Sequence, residues 1–179
     1  MKLAYDSIDA LRAAYAFTDL QSFLDIYYAS ASVLLTEQEF HDMTLAYVER
    51  ALADHVTHAE IFFDPQTHTE RGVPIETVVA GIECALAEGE RRGLTSKLIL
   101  CFLRHLSEED ALATYESALP LFDKYPHRLI GVGLDSSERG HPSLNSSACS
   151  RRRENTVLSS SRMPARKDRR RMSTKRWIC

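Results

Sequence analysis

Two short runs of nearly unbroken apolar residues most constrain how this chain can fold. Residues 97–103 read KLILCFL and residues 129–134 read LIGVGL. Runs of this length are typical of strands that are covered on both faces in a parallel sheet. A third run, HAEIFF, is followed by Asp64 and Pro65 and predicts a strand that a loop stops. The sequence therefore predicts three strands, which begin near residues 56, 97 and 129.

Helical periodicity fills the segments before and between these strands. Thr36 with Glu39, and Thr18 with Gln21, fit the capping-box pattern of a helix start. Pro74 suits a first helical turn, and Ser107 suits a helix N-cap. The apolar stripes, which we interpret mainly as core, include Ile8, Leu11, Ala14 and Tyr15, then Leu20, Phe23, Leu24, Tyr27, Ala31 and Leu34, then Phe40, Met43, Tyr47, Val48, Ala51 and Leu52.

Strands that alternate with helices predict an α/β fold with a parallel sheet and right-handed crossovers. The spacing between strands suits a (β/α) barrel and a doubly wound sheet equally well. No glycine-rich phosphate loop follows any of the strands, so the pattern supports neither a dinucleotide-binding nor a P-loop protein.

Polar residues fall where the strands end, which is where both folds place their chemistry. They are Asp64, Gln66, Thr67 and His68 after the first strand, Arg104 and His105 after the second, and residues 135–138 after the third. His68, His105 and His141 could converge on a metal ion, although their spacing does not require it. No serine or cysteine has the sequence context of a nucleophile.

The charge distribution divides the chain near Pro142. Of its 179 residues, the first 142 carry 11 lysines and arginines against 23 aspartates and glutamates, whereas residues 143–179 carry 11 against 2. The second segment also holds eight serines and almost no apolar periodicity. We therefore expect a folded unit over residues 1–142, helical over 1–54 with β/α units over 56–142, and a disordered Arg/Ser-rich tail over 143–179.

Composition also limits where the chain works and what it binds. No apolar run approaches the ~20 residues that span a bilayer, and residues 1–17 lack the pattern of a signal peptide. The four cysteines lie far apart, which favours free thiols in a cytoplasmic protein.

The basic tail could contact nucleic acid through phosphate charge alone, and this gives a rival interpretation as a non-specific polyanion binder. Salt-dependent binding that disappears on truncation at Pro142 would favour that rival.

Three segments resemble the bacterial adenine/adenosine deaminases of the metal-dependent hydrolase superfamily. They are AYAFTDLQSFLDIYYASASVLLTEQEF, HAEIFFDPQTHTERGVPIE and GVGLDSSERGHP, and the resemblance extends over roughly residues 9–142. It implies part of a (β/α)8 barrel, a fold that needs about 250 residues. The activity it implies is hydrolytic removal of the 6-amino group of adenine or adenosine by a zinc-bound water, with a carboxylic acid as proton donor.

The resemblance also implies which residues contact substrate and which groups are missing. The apolar lid helix of the family matches Leu20, Phe23, Leu24 and Tyr27, and the strand end that helps to hold the purine matches Asp135 and Ser136. The family's H-x-H zinc pair, its H-A-G-E motif and its later histidine and aspartate pair have no match here. We therefore expect no catalytic residue, no metal ligand and no zinc in this chain, and no deaminase activity.

Two further expectations concern the ends of the resemblance. In a reading frame shifted by one nucleotide, codons around Met163 can spell H-A-G-E and codons for residues 145–150 can spell F-E-R-V-F-A, so we hypothesise that the tail is a frameshift product. The coding DNA tests this hypothesis. Three strands of an eight-stranded barrel also leave sheet edges free, through which we expect the chain to associate. The chain would then be a fragment without an independent function.

Overall fold

The computed structural model describes residues 5–137 and Arg139. Six helices and three strands follow one another along this part of the chain. Their bounds are α1 Ile8–Ala14, α2 Leu20–Ala31, α3 Glu37–Ala53, β1 His58–Phe63, α4 Gln66–Thr69, α5 Ile75–Arg91, β2 Thr95–Leu103, α6 Glu108–Lys124 and β3 Leu129–Asp135. The three predicted strands are confirmed. Residues 143–179, with the predicted disordered tail and the frameshift hypothesis, lie outside the described residues.

Short polar sequences at the helix starts determine where three of the helices begin. The capping box of Thr36 and Glu39 is confirmed, and Ser107 forms a second box with Asp110. The box predicted at Thr18 and Gln21 is wrong by one residue. Asp19 is the N-cap there, because its carboxylate accepts from the amide of Ser22 at 2.8 Å. In return, the hydroxyl oxygen of Ser22 accepts from the amide of Asp19. A carboxylate at this position also interacts favourably with the positive end of the helix.

The three strands form one parallel sheet in the order β1-β2-β3. His58 pairs with Thr95 at the start of the first two strands, and Leu103 pairs with Asp135 at the end of the second and third. The spatial order follows the chain order, so the described strands contain no reversal of the kind that a doubly wound sheet has. Within the described residues, β1 and β3 each have one strand neighbour.

The core lies between one face of the sheet and the helices. From the strands it takes alternate residues, which include Phe63, Leu98, Leu100 and Phe102. Helix α5 packs on this face, and α3 packs on α5 in turn. These two helices approach each other closely at Gly81, where a Cβ atom would lie 2.3 Å from the carbonyl oxygen of Glu37 and 2.7 Å from Cβ of Phe40. Glycine is therefore required at this contact.

The opposite face of the sheet is less covered than the sequence predicts. Leu100–Leu103 are buried as expected for a strand covered on both sides, but only Leu129 is buried in β3, so the prediction of a third buried strand is wrong. Phe62 on this face is 56% exposed. The reason is geometric: the helices that form the core pack on the other face of the sheet.

The helices also separate core positions from surface positions that the apolar stripes did not distinguish. Helix α1 buries no residue, and Met43 and Tyr47 of α3 are exposed although both belong to its predicted stripe. Leu34 lies beyond the end of α2. In the described part of the chain, the helices are all too short or too polar to cross a membrane.

Candidate active site

The carboxyl ends of the three strands bring the predicted polar residues to one edge of the sheet. The amide of Arg104, just after β2, donates to the carbonyl of Asp135 at the end of β3 (3.0 Å). Asp64 follows β1 on the other side of β2. The parallel register therefore gathers residues that are about 70 positions apart in sequence. This is the edge at which parallel α/β proteins form their sites.

A cavity of about 730 Å³ opens at this edge, between the start of α2 and the ends of β2 and β3. Its apolar lining includes Leu20, Phe62 and Cys101, and its polar lining includes Arg104 and Asp135. Small-molecule sites typically enclose ~300–1,000 Å³, with mostly apolar walls and a few placed polar groups. The cavity therefore has the size and the lining of a site for a small molecule.

Four of the six residues predicted to contact substrate line one of two cavities. Leu20, Asp135 and Ser136 line the cavity just described. Tyr27 lines a second cavity of about 510 Å³ beside β1, which Asp64 and His68 also line.

The other two predicted residues line neither of these cavities. Leu24 is buried, and the ring of Phe23 packs 5.1 Å from that of Phe17 and 6.0 Å from that of Tyr27. All six predicted residues lie on α2 or at the end of β3. It remains a prediction that they contact substrate.

Asp64 is the most strongly perturbed carboxyl at this edge. Its side chain is enclosed, with 4% of the residue exposed, and it accepts hydrogen bonds from the hydroxyl and the amide of Thr67. Burial, together with the charge of Asp135, raises the pKa of Asp64 to about 6. A carboxyl that titrates in this range can hold or release a proton near neutral pH.

Ser136 connects three elements through one hydroxyl. Its Oγ lies 3.2 Å from Nδ1 of His105, which follows β2, and it is hydrogen-bonded to the side chain of Tyr28 on α2. Its backbone is held in the left-handed region (φ 78°), where its amide donates to Oδ1 of Asp135 at 2.6 Å. Burial raises the pKa of Tyr28 and that of Tyr27. Tyr28 was missed by sequence reasoning because it lies off the apolar stripe of α2.

His68 and Gln66 form hydrogen bonds with other residues of the fold. Nδ1 of His68 accepts from Nη2 of Arg71 at 2.8 Å, and its ring meets that of Phe40 edge-on at 4.8 Å. Burial, with the adjacent Arg71 charge, lowers the pKa of His68 to about 4. Oε1 of Gln66 accepts from the amide of Leu103 at 2.7 Å, while its Nε2 has no hydrogen-bond partner among the described residues.

The contacts of the histidines at this edge determine whether the described residues can bind a zinc ion. Among them, no group of three or more histidine, cysteine, aspartate or glutamate side chains is placed to hold a metal. The guanidinium of Arg71 also occupies one ring nitrogen of His68 and places a positive charge beside it. His105 instead contacts Ser136, and His141 lies outside the described residues. The described part of the chain therefore does not fit zinc.

Comparison with known proteins identifies the relatives of this fold and site. The family model described as adenosine deaminase matches residues 2–157. The adenine deaminase of Paraburkholderia phytofirmans is 85% identical over 142 residues, which are 79% of this chain and 41% of that protein. The adenine deaminase of Cupriavidus metallidurans is 69% identical over 143 residues, with 79% and 39% covered. The chain therefore spans about two fifths of the length of these curated relatives.

Solved structures agree with the sequence relatives. The crystal structure of adenine deaminase from Arthrobacter aurescens superimposes with a TM-score of 0.81 and 47% identity, covering 88% of this chain and 47% of that one. An amidohydrolase from Burkholderia ambifaria, solved with bound zinc, gives a TM-score of 0.72 at 21% identity over 83% of this chain and 42% of that one, and it supports the fold alone. The predicted α/β fold, part of a (β/α)8 barrel, is confirmed. Because the family model matches well over half of its residues, this chain belongs to the adenosine deaminase family.

Proposed function

We propose that this chain forms one wall of an adenine-binding pocket in a deaminase of this family. The observation that carries the proposal is the cavity of about 730 Å³ where the start of α2 meets the ends of β2 and β3. The two relatives described above are named adenine deaminases, and this favours adenine over adenosine as the ligand.

The lining of the cavity suits a purine base. Phe62 exposes more than half of its surface there, and Leu20 adds a second apolar surface, so both can pack against a flat heterocycle. The carboxylate of Asp135 can accept hydrogen bonds from N–H groups at the edge of the base. Ser136 places its backbone beside that carboxylate. Apolar faces with polar groups at one edge would orient the base as well as bind it.

We further propose that the chain does not deaminate adenine by itself. Hydrolysis of the amino group requires an activated water and a proton donor. Asp64, with a pKa near 6, could exchange a proton, but it lines the neighbouring cavity beside β1. The described residues also provide no group that fits a zinc ion, so the chain would bind the base without activating water.

Equilibrium dialysis of the full chain with adenine tests the binding step. We expect saturable binding, which Asp135→Asn should weaken tenfold or more because a hydrogen bond to a charged group contributes about 1.5–3 kcal/mol. Asp123→Asn is the matched control, since Asp123 is exposed on α6. No binding at millimolar adenine, or equal binding by the Asp135 and Asp123 variants, would contradict the proposal.

Ammonia release from adenine in the presence of added zinc tests the second step. We expect the full chain to release no more ammonia than a heat-inactivated sample does. Turnover above that background would show that the chain is an active enzyme, and it would then require ligands outside the described residues.

A further inference from the structure

Arg71 makes an unusual number of backbone contacts for a partly exposed side chain. Its Nη1 donates to the carbonyl of Ser32 at 2.6 Å, and its Nη2 lies 3.3 Å from the carbonyls of both Ala31 and Leu34. These three carbonyls belong to the end of α2 and the turn that follows it. One guanidinium therefore gathers three acceptors at the carboxyl end of a helix.

The same guanidinium is held from its own side. Its Nε donates to the carbonyl of Thr67 at 3.1 Å, and its Nη2 also donates to Nδ1 of His68 at 2.8 Å. Both residues belong to α4, directly after β1. Since a guanidinium only donates, Nδ1 of His68 must accept, so its proton is on Nε2. Arg71 thus connects the strand end to α2 through residues that are about 40 positions apart.

The physical chemistry of a helix end explains why arginine is suited to this position. The last carbonyls of a helix lack partners within the helix and carry a partial negative charge, so a cation with several donors stabilises them. A lysine ammonium is compact and has three donors, so it cannot reach the acceptors on both sides in the way a planar guanidinium can.

We infer that Arg71 is a positioning residue, which fixes α2 over the carboxyl ends of the strands. Helix α2 has 12 residues and is therefore about 18 Å long. Arg71 holds its carboxyl end, while Leu20 at its amino end lines the cavity proposed for adenine. A tilt of α2 at the anchored end would move Leu20 across that cavity. The consequence for adenine depends on the proposed function, whereas the anchoring of α2 does not.

Hydrogen exchange of backbone amides in the full chain tests the anchoring directly. In Arg71→Ala and in Arg71→Lys, we expect amides of residues 20–35 to exchange tenfold or more faster than in the unchanged protein. Amides of β1 and β2 should keep their rates. Arg50→Ala is the matched control, because Arg50 pairs with Asp54 on the exposed face of α3 and its side chain is 78% exposed.

Chemical rescue separates a positioning role from a general loss of stability. Methylguanidinium at millimolar concentration should restore the slow exchange of residues 20–35 in Arg71→Ala and should have no effect in Arg50→Ala. The inference is wrong if Arg71→Lys exchanges like the unchanged protein or if methylguanidinium restores nothing. It is equally wrong if exchange rises to the same extent in α2 and in the strands.

Adenine dialysis with the same variants tests the consequence for the pocket. We expect Arg71→Ala to bind adenine more weakly than the unchanged chain and methylguanidinium to recover part of the loss. If the unchanged chain binds no adenine, the proposed function fails, and the exchange measurements still decide whether Arg71 anchors α2. If adenine binds equally to both proteins while exchange in α2 differs, the anchor does not position the pocket.

Discussion

The Nε atom of Arg128 donates to Oε2 of Glu83 at 2.5 Å and so joins the residue before β3 to the middle of α5. Arg128 is enclosed, with 6% of its surface exposed. Its Nη1 also donates to Glu90 at 2.9 Å and to the carbonyl and hydroxyl of Ser96 at 2.5 and 2.8 Å. The cluster lies at the amino ends of the strands, opposite the candidate site, where residues of such folds serve stability.

Arg128→Ala should destabilise the protein by about 3 kcal/mol. Breaking a buried ion pair by removing one partner costs about 3–5 kcal/mol, and we take the lower end because the Glu90 side chain is 44% exposed. Urea denaturation measures the change. Arg12→Ala is the control, since the Arg12 pair with Asp9 is exposed and should contribute less than 1 kcal/mol. Equal losses in the two variants would contradict a structural role for the Arg128 cluster.

Gly81→Ala should be destabilising, although alanine is normally the better helix residue by about 1 kcal/mol. The added Cβ would lie 2.3 Å from the backbone carbonyl of Glu37, so α3 and α5 would have to move apart. We expect a loss of about 2 kcal/mol or more in urea denaturation.

Gly89→Ala is the matched control for this change in the same helix. The three atoms nearest to a Cβ there would be two side-chain methyl groups of Val48, at 3.0 and 3.3 Å, and Cβ of Leu94 at 3.8 Å, and none of them is a backbone atom. The cost should therefore be smaller than at Gly81. A Gly81→Ala protein as stable as the original would show that the two helices do not pack as closely as described.

Asp64→Asn should change how stability depends on pH. The folded state raises the pKa of Asp64 from 3.8 to about 6, so between these values the unfolded chain releases a proton that the folded protein keeps. The free energy of unfolding therefore falls as pH rises through this window and stays lower above it, by an amount on the order of 3 kcal/mol. Asparagine does not titrate, so Asp64→Asn should lack this decrease.

His68 acts in the opposite direction over an overlapping range. Its pKa is lowered from 6.5 to about 4, so its contribution to stability is present above pH 6.5 and is lost as pH falls from 6.5 to 4. Both proteins contain His68, so its contribution cancels when the free energy of unfolding of Asp64→Asn is subtracted from that of the unchanged protein at each pH. Urea denaturation between pH 4 and 7 measures that difference, and parallel pH profiles would contradict a raised pKa for Asp64.

At position 136, the glycine variant should be more stable than the alanine variant, which is the reverse of the usual order. Its φ of 78° is strained for any residue with a Cβ, at a cost of about 1 kcal/mol. Ser136→Gly and Ser136→Ala both lose the hydroxyl that contacts Tyr28 and His105, but only the glycine variant relieves the strain. We expect the glycine variant to be the more stable by about 1 kcal/mol in thermal or urea denaturation. An alanine variant of equal or greater stability would contradict the left-handed conformation.

Local sequence was sufficient for the strands and for most helix starts. The apolar runs identified β2 and β3, and the box at Thr36 was confirmed because both of its partners lie within four residues. The box at Thr18 was placed wrongly because Thr18 and Asp19 are both acceptable caps by pattern. Their order of preference depends on which side chain reaches the amide of Ser22.

The site itself depended on contacts that no local pattern encodes. Asp64 and Ser136 belong to the predicted rim, but Arg71 and Tyr28 were missed. The carbonyls bound by Arg71 are backbone groups about 40 residues away and leave no signal in the side-chain sequence. The exposure of Met43 in a regular apolar stripe was also unpredictable, because it depends on which side of α3 packs on α5.

The three capping boxes have a consequence for the order in which this chain can fold. Each box closes within four residues, so α2, α3 and α6 can nucleate as soon as their first turns exist. The pairing of His58 with Thr95, by contrast, must close a loop of 37 residues, and loop closure slows as sequence separation grows. During synthesis α2 and α3 would therefore form before the sheet, and pairing of β1 with β2 would wait until β2 has emerged.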